Sequence, residues 1–442
     1  MPPTPSPRPA TPLPGSGDSC GAQRRAPAGA RLVTPVLVGG SIILIINFAM
    51  RASFGVFQIP VAAEFGWPRA EFSLAIAVQN LAWGIGQPIF GALGERWGDR
   101  WSIIIGALLY AAGLILSAHA TDPATMQLLE VLVGFGIAGT GFGVILAVVG
   151  RAASDRHRSL ALGIATAAGS AGQVIGPPLA EALLARMPWQ SVFTVFGVAV
   201  LGCLLFLPLL GRAAPAPRSA LDHGLGHVLG RAFADPSYLM IFAGFFSCGY
   251  QLAFITAHFP AMVTEMCGPI GAGGILAGLG IATTSALGAA ALSLIGLANI
   301  AGSVLAGWLG MRYRRKYLLA GIYALRTLAA AVFILLPITP ASVIVFSLVM
   351  GALWLATVPL TSGLVAHIYG LRHMGTLYGF VFLSHQLGSF LGVWLGGRMY
   401  DLQGDYRLVW WVGVGVGAFS ALIHLPIREF PRDFAPRPAA TA

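Results

Sequence analysis

Of 442 residues, 56% are hydrophobic and only 10% charged, and the mean hydropathy is +0.78. That leaves too little polar surface to cover a soluble globule of this size, so the chain needs lipid as its solvent. The formal net charge of +10 does not mark a nucleic-acid partner, because the basic residues sit in short gaps between apolar runs and not on one face with a binding motif.

Residues 1–31 are rich in Pro, Ala and Arg and lack the apolar stretch of a secretory signal, so they read as a disordered cytoplasmic tail. A helix needs about 20 mostly apolar residues to cross roughly 30 Å of hydrocarbon, since lipid cannot satisfy exposed backbone groups. This rule predicts twelve spans, over 32–58, 72–93, 101–119, 126–149, 159–185, 189–210, 238–261, 284–309, 317–337, 341–366, 375–397 and 408–426. The expected fold class is an all-α membrane protein of two pseudo-symmetric six-helix bundles, 32–210 and 238–426. They are joined by a cytoplasmic linker over 211–237, which carries Arg212, Pro215, Pro217, Arg218 and Arg231, and residues 427–442 form a second cytoplasmic tail. With the amino terminus inside, twenty Arg and Lys residues fall on the inner side against Arg69, Arg186, Arg398 and Arg407 outside, which puts both termini in the cytoplasm. Cys20, Cys203, Cys248 and Cys267 lack the close pairing of a metal or redox motif and read as free thiols.

Internal repetition points to a paired architecture around a central site. The stretch Gly91-Ala-Leu-Gly-Glu95-Arg96-Trp-Gly98-Asp99-Arg100 after the second span recurs after the eighth as Gly307-Trp-Leu-Gly-Met311-Arg312-Tyr-Arg314-Arg315-Lys316, an offset of 216 (307 − 91). Pro60 in the first span aligns with Pro260 in the seventh at an offset of 200 (260 − 60), which places Arg51 opposite Gln251. The difference of 16 residues assigns extra material to the second half, most simply the Gly/Ala-rich stretch from about Cys267 to Ala286.

The duplicated loop resembles the signature between the second and third helices of the major facilitator superfamily. That resemblance implies a gate in which Gly91 and Gly98 allow close helix approach while Glu95, Arg96 and Arg100 form a charge network with Arg312 in the second copy. Met311 stands where the second acid belongs, which argues against a symmetric lock. Gly172-Gln173-Val-Ile-Gly176-Pro177-Pro178 is similar to the antiporter motif of the fifth helix, and small residues for tight packing explain it equally well. Arg51-Ala-Ser-Phe54-Gly55-Val-Phe57, Gly66-Trp67-Pro-Arg69 and the run from Pro359 through His385-Gln386 to Gly397 resemble bacterial monocarboxylate porters and the oxalate/formate antiporter-like branch. The resemblance implies a secondary transporter in the bacterial inner membrane that moves a small organic anion, a monocarboxylate, coupled to protons or to a counter-anion. It implies a monomer without cofactor or metal.

An ionisable side chain inside a bilayer costs at least about 2.5 kcal/mol on insertion scales, so it faces a cavity or a partner. Arg51 and Glu130 lie at similar depth on neighbouring helices of the resembled fold. Arg51 is therefore expected either to bind a substrate carboxylate with its planar fork of donors or to rest paired with Glu130. Glu130 can carry a coupling proton, because removal from water favours the neutral form of a carboxyl group. On the seventh span Tyr250, Gln251 and His258 are expected to complete the anion site from the other half, with His258 able to exchange a proton. Asn80 is read as facing the cavity, and His385 as either a ligand or a packing histidine. Trp83, Gln173 and Asn299 complete the polar set together with Arg326, which is close enough to a helix end to snorkel.

The expected mechanism is alternating access, in which differential binding shifts the populations of two states. ATP hydrolysis through a Walker motif is excluded, because Lys316, the sole lysine, follows Arg315 where that motif requires Gly. An intramembrane hydrolase built on Ser170 and His385 leaves the repeat without a reason, so the chain is not read as an enzyme. A drug/proton antiporter of the same fold and a receptor that binds without transporting are the alternatives.

Overall fold

The computed structural model describes residues 32–67, 69–211, 224–271, 274–279 and 281–432. The expected tail 1–31, the linker residues Arg212, Pro215, Pro217 and Arg218, and the chain after 432 lie outside the described residues.

The described residues form helices α1 (Pro35–Phe65), α2 (Arg69–Trp97), α3 (Asp99–Ser117), α4 (Pro123–Thr140), α5 (Phe142–Ala152), α6 (Arg158–Leu184), α7 (Trp189–Gly202), α8 (Leu225–Phe233) and α9 (Pro236–Met266). They continue with α10 (Ile275–Gly278), α11 (Thr284–Leu309), α12 (Arg315–Leu335), α13 (Pro340–Leu353), α14 (Thr357–Tyr369), α15 (Met374–Gln403) and α16 (Arg407–His424). The fourth span is α4 with α5, the sixth is α7 with the 3₁₀ helix Cys203–Leu210, and the tenth is α13 with α14, so the described residues make twelve crossings.

Ten of the twelve are long and apolar enough to cross a membrane by length and composition. The other two are α2, with Gln79, Asn80 and Gln87, and α15, with Ser384, His385 and Gln386. These two pack against each other, which keeps their polar groups away from lipid; Gln79 and Gln87 bond groups of α4, whereas both amide atoms of Gln386 are buried without a partner. Neighbours also repair the breaks in the fourth and tenth spans. Beside extended Gly141, Gln87 Nε2 donates to the Ala138 carbonyl at 3.0 Å, and past Leu353 the Leu355 amide donates to Asn299 Oδ1 at 2.9 Å.

The packing of the first span on the fifth repeats in that of the seventh on the eleventh. A methyl group on Gly172 would collide with the Ile45 carbonyl and one on Gly388 with the Phe246 carbonyl, and Gly176 and Gly392 meet the carbonyls of Ala49 and Tyr250 in the same way. The offsets are 216 (388 − 172) for the fifth and eleventh spans and 201 (246 − 45) for the first and seventh. The expected offset of 200 is thus one residue short, and the extra material amounts to 15 residues. It includes the short helix α10 and is tied to the loop before α13, where the Gly268 amide donates to the Ile338 carbonyl.

The start of the first helix and the end of the last meet one face of the bundle, the terminal face. There Asp235 caps α9: Oδ1 accepts from the Ser237 amide at 2.9 Å, and Oδ2 accepts from the Tyr369 hydroxyl at 2.9 Å and Arg432 Nε at 3.0 Å. Burial pushes its carboxyl upward, but these donors outweigh it and hold it below the usual carboxylate range. A depressed folded pKa means that its contribution is complete above about pH 4 and is lost as the pH falls further. Asp235→Asn should therefore destabilise the protein by about 1 kcal/mol at pH 7, and thermal denaturation in detergent should show the gap closing towards pH 3.

Candidate functional site

In the first half, Arg51 is half-buried beside α2. Its Nη2 donates to Asn80 Oδ1 at 2.9 Å and its Cζ lies 4.7 Å from the centroid of the Trp83 ring, while its Nε is buried without a partner. The α2 spacing explains the clamp, since Asn80 and Trp83 are three residues apart and share a face. Trp83 is fixed in turn by its Nε1, which donates to Gln87 Oε1 at 2.9 Å. Glu130 is buried, and its Oε2 accepts from Gln79 Nε2 at 2.6 Å while Oε1 has no partner. The expected Arg51–Glu130 ion pair is therefore not formed. The two charges are held separately, each by an amide of α2.

In the second half, Arg326 overturns its expected snorkelling. It is 0% exposed, because its side chain turns into the bundle instead of running to the nearby end of α12. Nη1 donates to Cys248 Sγ at 3.4 Å, and Sγ lies 3.3 Å from Thr357 Oγ1. His385 sits beside the same thiol, stacked on Phe382 at 5.1 Å with the rings 9° from parallel. Phe382 in turn packs on Trp83 at 4.7 Å. A continuous run of groups thus crosses the interface: Arg51, Trp83, Phe382, His385, Cys248, Arg326. One arginine stands at each end, the first accessible and the second sealed.

The pseudo-symmetry explains where Arg326 points. Offsets of 216 (326 − 110) and 201 (248 − 47) make it the counterpart of Tyr110 and make Cys248 the counterpart of Asn47. The Tyr110 hydroxyl donates to the Asn47 carbonyl at 3.4 Å, and Asn47 bonds Thr140, the counterpart of Thr357 at an offset of 217 (357 − 140). The same inward-facing place holds a phenol in one half and a guanidinium in the other.

Three expected ligands on α9 do not join this run. The Tyr250 hydroxyl donates to the Val409 carbonyl at 3.2 Å and Gln251 Nε2 to the Gly413 carbonyl at 2.8 Å, both on α16. His258 bonds the Val393 carbonyl at 3.0 Å and packs against Phe254 and Tyr406, not near Arg51. For Gln251 the physical reason is register: with an offset of 201 Arg51 faces Leu252, and an error of one residue rotates a helical side chain by about 100°.

At the terminal face the duplicated loop works differently from the expected charge network. Glu95 Oε1 accepts from the Thr376 amide at 2.8 Å, and Oε2 accepts from Thr376 Oγ1 at 2.6 Å and lies 3.2 Å from His373 Nδ1. One carboxylate thus caps the positive end of α15 across the two halves. Beneath it a Cβ on Gly91 would strike the Gly375 carbonyl, so the backbones touch. Gly98 turns the chain into α3 at φ 101°. Arg96 lies over Trp97 at 5.9 Å and Arg312 over Trp308 at 4.2 Å, and Arg100 is exposed. None of the three makes an ion pair among the described residues. The acid of this loop that meets an arginine is Asp99, with Arg151 at 2.5 Å. Met311, at the place of Glu95, has no carboxylate to cap α6, so the latch is one-sided.

Sequence reasoning missed Cys248, Gln79 and the role of Trp83. The usable signal was the repeat itself, read at the correct offset, which pairs Cys248 with Asn47 and Arg326 with Tyr110.

The model of the Major Facilitator Superfamily matches residues 40–296 and 271–441. The chain is 25% identical over 391 residues to YcxA of Bacillus subtilis, an uncharacterised transporter of that type, covering 85% of this chain and 90% of YcxA. It is 27% identical over 405 residues to monocarboxylate transporter 13 of Bos taurus, covering 86% of each chain. The solved structure of FucP, the Escherichia coli fucose:proton symporter, superposes with a TM-score of 0.63 at 14% identity, covering 89% of this chain and 98% of FucP. With its twelve crossings, its repeated halves and its duplicated loop, the chain belongs to the Major Facilitator Superfamily, and it is a multi-pass membrane transporter and not an enzyme.

Proposed function

We propose that this transporter moves a small organic anion, a monocarboxylate, by alternating access, with Arg51 as the carboxylate receptor. The observation that carries this reading is the state of Arg51. It is a permanent cation inside the bundle, half-accessible, oriented by Asn80 and Trp83, with Nε unpartnered and no acid in contact. A guanidinium so held matches a carboxylate with two parallel donors and needs little reorganisation. The name of the Bos taurus relative supports the substrate class. A drug/proton antiporter is disfavoured, because a cationic drug would meet Arg51 in the cavity. Both termini are assigned to the cytoplasm of a bacterial inner membrane on the distribution of basic residues, and the transporter is taken to act as a monomer.

Glu130 is proposed as the coupling group, since it is a buried carboxyl whose Oε1 has no partner and whose neighbour Gln79 can donate to either protonation state. The test is proteoliposome uptake of a panel of small carboxylates with and without an inward proton gradient. Wild type should accumulate at least one of them with the gradient. Glu130→Gln should retain exchange of labelled for unlabelled substrate and lose gradient-driven accumulation. Unchanged accumulation by that variant removes Glu130 from coupling, and absence of counterflow in wild type leaves a receptor and not a carrier.

A further inference from the structure

Arg326 poses a separate problem of charge. Its guanidinium is 0% exposed, and its Nε and Nη2 have no hydrogen-bond partner. No carboxylate forms an ion pair with it among the described residues. Against it lie the Cys248 thiol, which also meets Thr357, and the ring of Tyr323, 5.7 Å from its Cζ, and Tyr378 belongs to the same buried cluster through Phe382, the ring on which His385 stacks. The Tyr378 hydroxyl is buried without a partner, and that of Tyr323 stands near Thr357 without hydrogen-bond geometry. Every polar group among these can donate a hydrogen bond, and none is a carboxylate. Neither a water molecule, which brings no charge, nor ionisation of the Cys248 thiol, which accepts from Nη1 alone, supplies both a counter-charge and a partner for Nε and Nη2. Buried orphan donors converging on a fixed cation are the usual mark of an ion that completes the site.

We propose that the second half contains an anion-binding site centred on Arg326, closed by the hydroxyls of Tyr323 and Tyr378 and the Cys248 thiol, which takes a small monovalent anion, a halide or a compact carboxylate. The site is distinct from Arg51, from which Trp83, Phe382 and His385 separate it. It is independent of what the protein transports. It gives Arg326 the counter-charge that its counterpart Tyr110, being neutral, does not need.

The test uses the purified full chain in detergent, with thermal unfolding followed while sodium chloride replaces sodium sulfate at constant ionic strength. Sulfate stabilises proteins generically, so a gain on adding chloride is specific. In wild type the melting temperature should rise with added chloride, by about 3 °C at a hundredfold excess over Kd. The rise should persist in Arg51→Gln and vanish in Arg326→Gln. Acetate in place of chloride identifies the source: a response that survives Arg51→Gln shows that the Arg326 site accepts a carboxylate as well as a halide. Should Arg326→Gln fail to fold, the rate at which a membrane-permeant maleimide modifies Cys248 in wild type, read by mass spectrometry of that peptide, should fall at least threefold with chloride. A wild-type melting temperature and Cys248 reactivity indifferent to chloride, or a response lost in Arg51→Gln, overturns the proposal.

Discussion

Arg51→Gln should lower the affinity for a transported carboxylate by about a hundredfold or more while leaving the amount of protein in the membrane unchanged. Removing one partner of a hydrogen-bonded charge pair costs about 2–5 kcal/mol, and each 1.4 kcal/mol is tenfold. The loss should appear in the half-saturating concentration for tracer counterflow. Arg51→Lys keeps the charge but loses the planar fork and the flat contact with Trp83. It should therefore fall between wild type and Gln, and recovery by Lys to full wild-type affinity would reduce the role of Arg51 to charge alone. Normal counterflow by the Gln variant would remove Arg51 from the site altogether.

Gly91→Val should cut transport by about tenfold or more through a different route. The Gly91 and Gly375 backbones touch at the terminal face, and a β-branched side chain must push α2 and α15 apart there. Overpacking of this kind costs about 1–3 kcal/mol, and only the state closed at that face bears the cost, so its population relative to the open state falls by roughly five- to a hundred-and-fiftyfold. Separation also withdraws Glu95 from the Thr376 amide, and hydrogen exchange at that amide should accelerate in step with the loss of transport. Wild-type exchange and wild-type transport in Gly91→Val would show that this contact is not part of the cycle.

Both substitutions act on positions that the sequence marks plainly. Arg51 is a charge within an apolar run, and Gly91 begins a loop that occurs twice. Their partners were far less legible. Arg51 was expected beside Glu130 and is held by Asn80 and Trp83. Glu95 was expected among arginines and instead caps α15 through Thr376, 281 residues away. Gln251 is placed opposite Arg51 by an alignment one residue out of register, and it donates to α16, as does Tyr250 beside it.

By itself the sequence determined that this chain lives in a bilayer, how many times it crosses and that its halves repeat. Those properties depend on the length of apolar runs and the recurrence of a loop, which are local. Tertiary structure decided which side chains meet, because a crossing helix can rotate about its axis with no change in hydropathy, and packing alone fixes that rotation. Arg326 measures the difference: from its distance to a helix end it reads as a snorkelling residue, and only the rotation of α12 against α9 turns it inward onto Cys248, sealed from water and lipid.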